Sequence, residues 1–132
     1  MVKKKICFSI SSHNELVEII KIHIFIKKVP IFFIKYYLIN GFGIDWLLEL
    51  KDMINKKFKK NKFEIFVDVK NDYGVFINLV EKKIKYIKVK ANQDTLKRLK
   101  QIAKINKVLI NPNFSVVDIS KYKNKLLKIK NL

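Results

Sequence analysis

The residue types best suited to chemistry lie close together in one short stretch of the chain, FEIFVDVKNDYG, which spans residues 63–74. An apolar run ends at Asp68, and Lys70, Asn71 and Asp72 follow within four positions. A carboxylate at the end of a buried strand is partly removed from water and needs a partner. The stretch therefore predicts either a binding site or a polar turn that joins a strand to a helix.

Two lysines of the next apolar run could complete such a site. Lys88 and Lys90 share one face of a strand, because side chains alternate with a period of two. If the two strands are neighbours, Asp68 can pair with either lysine. We therefore predict a site for an anionic small molecule at the carboxyl ends of the strands, where lysines hold a phosphate or carboxylate and Asp68 orients a lysine or handles a proton. The structural alternative is an ion pair plus a turn, with Asn71 or Asp72 capping the following helix, and cap residues are expected at every such junction.

Other motifs that could carry chemistry are weaker. Gly41 and Gly43 suggest a phosphate-binding loop, but neither the P-loop nor the dinucleotide-binding glycine pattern is present, so a loop or cap role is favoured. His13 and His23 have no cysteine or carboxylate at metal-ligand spacing, and we predict no metal site and no cofactor. The serines within residues 9–12 form no nucleophile elbow, so the catalytic residues, if the protein is an enzyme at all, are not identified.

Five apolar runs predict the strands that position these residues. They lie at 5–10, 30–37, 63–69, 84–91 and 108–111. Helical spacing separates them, most clearly at Leu47, Leu50, Ile54 and Phe58. The first helix is less clear, because residues 20–26 also alternate like a strand. Strands that alternate with helices predict an α/β fold, a single domain with a mainly parallel five-stranded sheet, as an open sheet or a partial barrel.

The predicted domain covers residues 1–112 and ends where Pro112 stops the fifth strand. Residues 113–132 are predicted to form a C-terminal extension with room for one short extra element. Its basic end, KYKNKLLKIKNL, is expected to be solvated and to fray. The alternative is contact of this tail with RNA or an anionic membrane surface.

Two segments carry a resemblance to a known group of proteins. They are GFGIDWLLEL at residues 41–50, a glycine-rich segment that leads into a tryptophan-containing helix, and VDVKNDYG at residues 67–74, a strand that ends in an aspartate-containing turn. In this order they resemble a family of short, uncharacterised bacterial α/β proteins, and the likeness covers most of residues 5–112. The chain lacks alanine-rich helices, and Lys70 and Asn71 depart from the turn pattern. The resemblance implies βα repeats in the manner of a truncated barrel, and no reaction.

The composition is strongly basic but poor in arginine. Among 132 residues, Lys and Arg total 29, the net charge is +18, and Arg98 is the only arginine. Proteins that recognise nucleic acid usually use arginine, and the favoured residues Ile, Lys, Asn and Phe are those of AT-rich codons. Compositional drift is therefore the preferred explanation of the charge, and an RNA- or ribosome-associated basic protein is the alternative function. With 49% hydrophobic residues, the chain is not disordered.

The remaining expectations concern location and partners. Cys7 is alone in an apolar run, which indicates a buried thiol in a reducing compartment, and the N-terminus does not read as a signal peptide. Lysines interrupt the most apolar region, 19–39, so no membrane span is predicted and the location is predicted to be cytoplasmic. The apolar IFFI at 31–34 predicts an uncovered sheet edge or face and hence self-association, for example as a homodimer. An anionic metabolite is the favoured small-molecule partner.

Overall fold

A computed structural model describes residues 5–59, 62–119 and 124–132. Strands and helices alternate along most of these ranges. In chain order they are β1 Ile6–Ser9, α1 His13–Phe25, β2 Ile31–Ile34, α2 Tyr36–Phe42, α3 Ile44–Phe58, β3 Glu64–Lys70, α4 Tyr73–Glu81, β4 Tyr86–Val89, α5 Gln93–Ile105, β5 Leu109–Ile110, β6 Ser115–Val117 and α6 Lys125–Lys130. Within the described ranges, every helix is too short or too polar to cross a lipid bilayer.

The strands form one sheet in the order β5-β4-β3-β2-β1-β6, and all the neighbouring pairs are parallel. This confirms the predicted α/β fold with a mainly parallel sheet. The sheet has six strands rather than the five predicted. The additional strand, β6, comes from the segment predicted as an extension and pairs with β1, with Cys7 opposite Val116. Its three residues are too few to produce a recognisable alternating pattern.

The helices that connect β1 to β5 cover one face of the sheet. Each of these strands lies beside the one before it, always on the same side, and right-handed crossovers then place all the connecting helices on one face. That face contributes Phe32, Val67 and Ile87 to the main core, where they meet helical residues such as Leu47 and Phe76. All five side chains are fully buried.

The opposite face is concave, because the sheet curls until its two outer strands, β5 and β6, approach each other. Ile110 ends β5, and Ser115 starts β6. The five Cα–Cα steps between them span at most about 18 Å, whereas six flat strands would separate the two outer strands by about 24 Å. The connecting residues 111–114 therefore cross the concave face. There the Phe114 ring meets Phe66 and Tyr86 edge-on, with centroids 5.5 and 4.9 Å apart.

Several helices begin at a polar side chain that caps them, and one of these caps, Asp72, was predicted from the sequence. The side-chain oxygens of Ser12, Asp72 and Asn92 accept hydrogen bonds from the backbone N–H three residues ahead, at 3.2, 3.2 and 2.9 Å. Such bonds satisfy donors that have no partner within the helix. The cap at Ser12 and the helix that follows it also resolve the ambiguity at residues 20–26, which are helical through Phe25.

Three helices end in a Schellman motif with an unusual residue at its turning point. The backbone N–H two residues past the C-cap bonds back five residues, from Lys28 to His23, from Ile84 to Leu79 and from Val108 to Ala103. The residue in between is Lys27, Lys83 or Lys107, with φ of 55°, 60° and 60°. Glycine is the usual residue at this position, because a side chain costs free energy in the left-handed region.

Three predicted segments differ in the structure. The second strand was predicted over 30–37, but β2 is Ile31–Ile34 and the tyrosines at 36 and 37 begin α2. The loop predicted around Gly41 shortens to Gly43, whose φ of 86° separates α2 from α3. The C-terminal tail, predicted to fray, forms α6, where Ile129 is 2% exposed in the main core. Residues 120–123 of the tail lie outside the described residues.

Candidate functional site

The carboxyl ends of the strands open onto a cleft on the concave face, with a volume of about 1100 Å³. Five of the six site residues predicted from sequence line this cleft. They are Asp68, Lys70, Asn71, Lys88 and Lys90. The parallel sheet brings them together, because it places the carboxyl ends of β3 and β4 side by side.

Apolar side chains form the floor of the cleft. Phe33 and Phe66, on neighbouring strands, lie with ring centroids 5.1 Å apart, and the Phe114 ring stands edge-on against Phe66. Leu96 and Val116 extend the apolar lining to two sides. Because Phe33 and Phe66 are buried, the accessible apolar surface belongs to the half-buried Phe114 and Leu96 and to the exposed Val116. An apolar or aromatic group can lie there, below a rim of polar and charged groups.

Asp68 lies opposite a lysine, as predicted, but its carboxylate does not form the predicted pair with the lysine ammonium. Asp68 lies directly opposite Lys88 on the neighbouring strand. The Oδ1 atom of Asp68 instead accepts a hydrogen bond of 2.9 Å from the backbone N–H of Lys70. A bulge between Asp68 and Lys70 allows this, since it adds a residue to β3 and bends the end of the strand.

The bulge also sets the direction of the Lys70 side chain. Lys70 has φ of 51°, and its carbonyl accepts a 2.8 Å hydrogen bond from the backbone N–H of Lys90. The Lys70 ammonium lies 5.7 Å from the centroid of the Tyr36 ring. The left-handed backbone of Lys70, held between β4 and the ring of Tyr36, keeps a cation at the rim of the cleft.

Asp72, the sixth predicted residue, does not line the cleft. Its Oδ1 accepts the backbone N–H of Val75 at 3.2 Å, and its Oδ2 accepts the Tyr36 hydroxyl at 3.1 Å. The hydrogen bond to Asp72 raises the pKa of the Tyr36 hydroxyl. Both carboxylate oxygens of Asp72 are thus engaged in holding α4 and α2 together, as in the capping alternative considered from the sequence.

Residues 111–114 contribute lining that the site prediction did not include. The Asn111 side chain clamps β4, with Oδ1 accepting the N–H of Val89 at 2.8 Å and Nδ2 donating to its carbonyl at 3.0 Å. Phe114 then closes the floor. Pro112 indicated a strand end at this point, but no residue pattern indicates that the chain crosses the concave face.

The rim of the cleft carries lysines whose positive charges are not paired with carboxylates of the described residues. Within residues 5–59, 62–119 and 124–132, ion pairs join Lys56 to Asp52, Lys85 to Glu64 and Lys125 to Glu18. In the same ranges, none of the rim lysines, at positions 70, 88 and 90, has a carboxylate oxygen within 4.0 Å of its ammonium. The three rim lysines are all exposed, and Asp68 is the one acidic residue among the side chains that line the cleft.

The other residues considered for chemistry lie away from the cleft. The Nδ1 of His23 donates to the carbonyl of Ile19 at 2.9 Å, and burial lowers the pKa of the imidazole. Burial raises the pKa of the Cys7 thiol to about 11, so this side chain packs as a small apolar group. In the part of the chain that the structure describes, no three His, Cys, Asp or Glu side chains are grouped so that they could hold a metal ion.

The fold and the cleft define a parallel α/β protein with helices on one face and a polar-rimmed cleft on the other. Comparisons of the chain with protein-family models, with curated proteins and with solved structures gave no significant match. The resemblance to short bacterial α/β proteins stays a prediction, and a function must be argued from the site.

Proposed function

We propose that the protein binds an anionic small molecule in this cleft. The observation that carries the proposal is the convergence of Lys70, Lys88 and Lys90 on one cleft without a carboxylate partner in the described chain. Like charges that share a small space repel one another, and an anion between them relieves this repulsion. Phosphate and carboxylate groups accept hydrogen bonds from lysine ammonium groups, and such charge-assisted bonds are the strong ones.

The apolar floor adds a requirement on the rest of the ligand. Phe114, Leu96 and Val116 present accessible apolar surface below the rim lysines. A molecule with an anionic group at one end and a flat apolar group at the other fits both parts. We therefore expect an aromatic phosphate to bind more tightly than inorganic phosphate, and a neutral aromatic compound to bind weakly.

Calorimetric titration with three probes tests the proposal: phenyl phosphate, inorganic phosphate and phenol. Phenyl phosphate is expected to bind most tightly. Lys88→Gln and Lys90→Gln are each expected to weaken its binding about tenfold, because each removes a charge-assisted hydrogen bond of roughly 1.5 kcal/mol. A double variant at the opposite ends of the strands, where they begin, serves as the control. Lys28→Gln with Lys62→Gln removes two charges without touching the cleft and is expected to bind as the wild type does.

Two results would overturn this proposal. One is equal loss of binding in the cleft variants and in the Lys28→Gln, Lys62→Gln control, which would show that total charge, rather than the cleft, attracts the anion. The other is the absence of heat and of thermal stabilisation with all three probes at millimolar concentration. The proposal concerns binding alone. The alternative, an RNA- or ribosome-associated protein, predicts binding to RNA with an affinity that falls steeply as the salt concentration rises.

A further inference from the structure

Lysines are concentrated at the amino edge of the sheet, where the strands begin. Four connections lead there from a helix to the next strand, at 26–30, 59–63, 82–85 and 106–108. Their described residues contain eight lysines and no aspartate or glutamate. These amino-edge lysines are Lys27, Lys28, Lys59, Lys62, Lys82, Lys83, Lys85 and Lys107.

The carboxyl edge differs sharply in charge. The four connections that lead from a strand to a helix are residues 10–12, 35, 71–72 and 90–92. They contain two lysines, at positions 35 and 90, and one aspartate. Compositional drift toward lysine acts on both edges alike, so drift alone does not account for this polarity.

Local stability does not account for it either. Helix dipoles favour cations at this edge, since the helices end here. That effect does not require lysine in a left-handed backbone conformation, which Lys27, Lys59, Lys83 and Lys107 all adopt. Glycine would be more stable at such positions. The amino edge therefore places lysine where folding alone favours another residue.

Exposed apolar side chains lie among these lysines. Phe25 and Ile105 are the last residues of α1 and α5 and are 68% and 82% exposed, and Val29 in the first connection is 52% exposed. The ammonium of Lys130, on α6, lies 5.1 Å from the centroid of the Phe25 ring. Two acidic residues border the edge, Glu81 at the end of α4 and Glu64, which is paired with an amino-edge lysine.

We propose that the amino edge of the sheet docks on the surface of an anionic lipid bilayer. The amino-edge lysines match the phosphate groups of anionic lipids, and each lysine near such a surface strengthens attachment. Phe25, Val29 and Ile105 enter the boundary between headgroups and acyl chains, as the apolar side chains of peripheral membrane proteins do. RNA fits this edge less well, because Val29 and Ile105 are aliphatic and do not stack on bases, and because Arg98 is the only arginine of the chain.

Co-sedimentation of the full chain with vesicles tests the docking surface. The wild type is expected to bind vesicles of phosphatidylcholine with about 30% phosphatidylserine and to bind pure phosphatidylcholine weakly. The variant Lys27→Gly, Lys83→Gly, Lys107→Gly is expected to lose about 100-fold in partition coefficient, at roughly fivefold per lysine. Since glycine suits the backbone at all three positions, unfolding is not expected to explain the loss, and a thermal melt verifies this.

A second triple variant supplies the matched control. Lys70→Asn, Lys88→Gln, Lys90→Gln removes the same charge from the cleft at the other edge and is expected to keep vesicle binding within about threefold of the wild type. Equal losses in the two triple variants would overturn the proposal, because net charge and not the amino edge would then govern attachment. Equal binding to neutral and anionic vesicles, or no binding to either, would also overturn it.

The two aliphatic residues of the amino edge distinguish a membrane from RNA. Val29→Ser with Ile105→Ser is expected to weaken binding to anionic vesicles about tenfold, because both side chains leave water on docking. The same pair is expected to leave binding to poly-uridylate unchanged. If instead poly-uridylate binds more tightly than the vesicles and depends on the same three lysines, while the serine pair affects neither, the amino edge is an RNA surface and the membrane proposal is wrong.

Discussion

Replacing Lys83 by glycine is expected to stabilise the protein. Lys83 has φ of 60° at the turning point of the motif that ends α4. A non-glycine residue in this region costs about 1–2 kcal/mol. The greater freedom of glycine in the unfolded chain offsets about 0.4–1 kcal/mol of the gain, and loss of the favourable dipole interaction offsets a few tenths more, roughly 0.3. The net gain is about 0.5 kcal/mol, or about 2 °C in Tm for a chain of 132 residues.

The preceding residue is the matched control for this prediction. Lys82 is the C-cap of the same helix, with φ of −82°, where a side chain costs nothing. Lys82→Gly is therefore expected to destabilise the protein by about 0.5–1 kcal/mol. Urea denaturation followed by circular dichroism compares the two variants with the wild type. If both glycines lower the midpoint equally, the left-handed lysines carry no strain, and their presence at the amino edge needs no reason beyond stability.

Three further changes probe the cleft, the buried histidine and the last helix. Asp68→Asn is expected to raise the affinity for phenyl phosphate about fivefold in calorimetry, because it removes the one carboxylate of the rim. Since it breaks no ion pair, it is expected to change the free energy of unfolding in urea by less than about 1 kcal/mol. Since burial lowers the pKa of His23 in the folded state, the unfolded state takes up the proton first, and stability present above pH 6.5 is lost as the pH falls through that value. His23→Gln is expected to flatten this slope between about pH 7 and 5, whereas an unchanged slope would place its origin elsewhere. Ile129→Ala is expected to cost about 2–3 kcal/mol in denaturant unfolding, whereas Leu127→Ala, which is 56% exposed, is expected to cost under about 0.5 kcal/mol.

The order of elements could be predicted because each long element has one clear pattern. Leu47, Leu50 and Ile54 recur at helical spacing, and all three are buried in α3. The second strand was extended too far because the tyrosines at 36 and 37 favour strands locally, while the packing of α2 on α3 and β3 decides in favour of a helix. Segments as short as β6 and α6 carry too few residues for a pattern and depend on the surfaces that receive them.

The candidate site could be predicted in outline, because the carboxyl ends of parallel strands meet at one edge whatever the details of the loops. The closeness of Asp68 to Lys88 and Lys90 follows from that arrangement, whereas the structure alone shows that Lys88 lies directly opposite Asp68. The bulge that directs the Asp68 carboxylate to a backbone N–H does not, since it depends on the left-handed backbone of Lys70, a residue type that gives no sign of it. The contribution of Phe114 depends on the curl of the whole sheet.

Self-association stays a prediction, but its original physical reason no longer applies. Ile31–Ile34 were expected to leave an apolar face uncovered, and all four residues are buried within one chain. Helices cover Phe32 and Ile34. Ile31 and Phe33 belong to the apolar cluster on the concave face, against which Phe114 packs. A dimer that joined two amino edges would bring two sets of lysines together, and their mutual repulsion disfavours that arrangement.

The two proposed surfaces occupy opposite ends of the same strands, and this arrangement lets them act separately. β3 runs the full distance between them with seven residues, Glu64–Lys70, or about 20 Å. Charges interact weakly beyond a Debye length, which is about 8 Å at physiological ionic strength. A chain docked through its amino edge therefore points the cleft toward water, where a small anion reaches Lys70, Lys88 and Lys90 without competing with lipid phosphate. The polarity of lysine between the edges then has a physical use: one edge supplies attachment through many weak contacts, and the other keeps few enough lysines for a single anion to satisfy them.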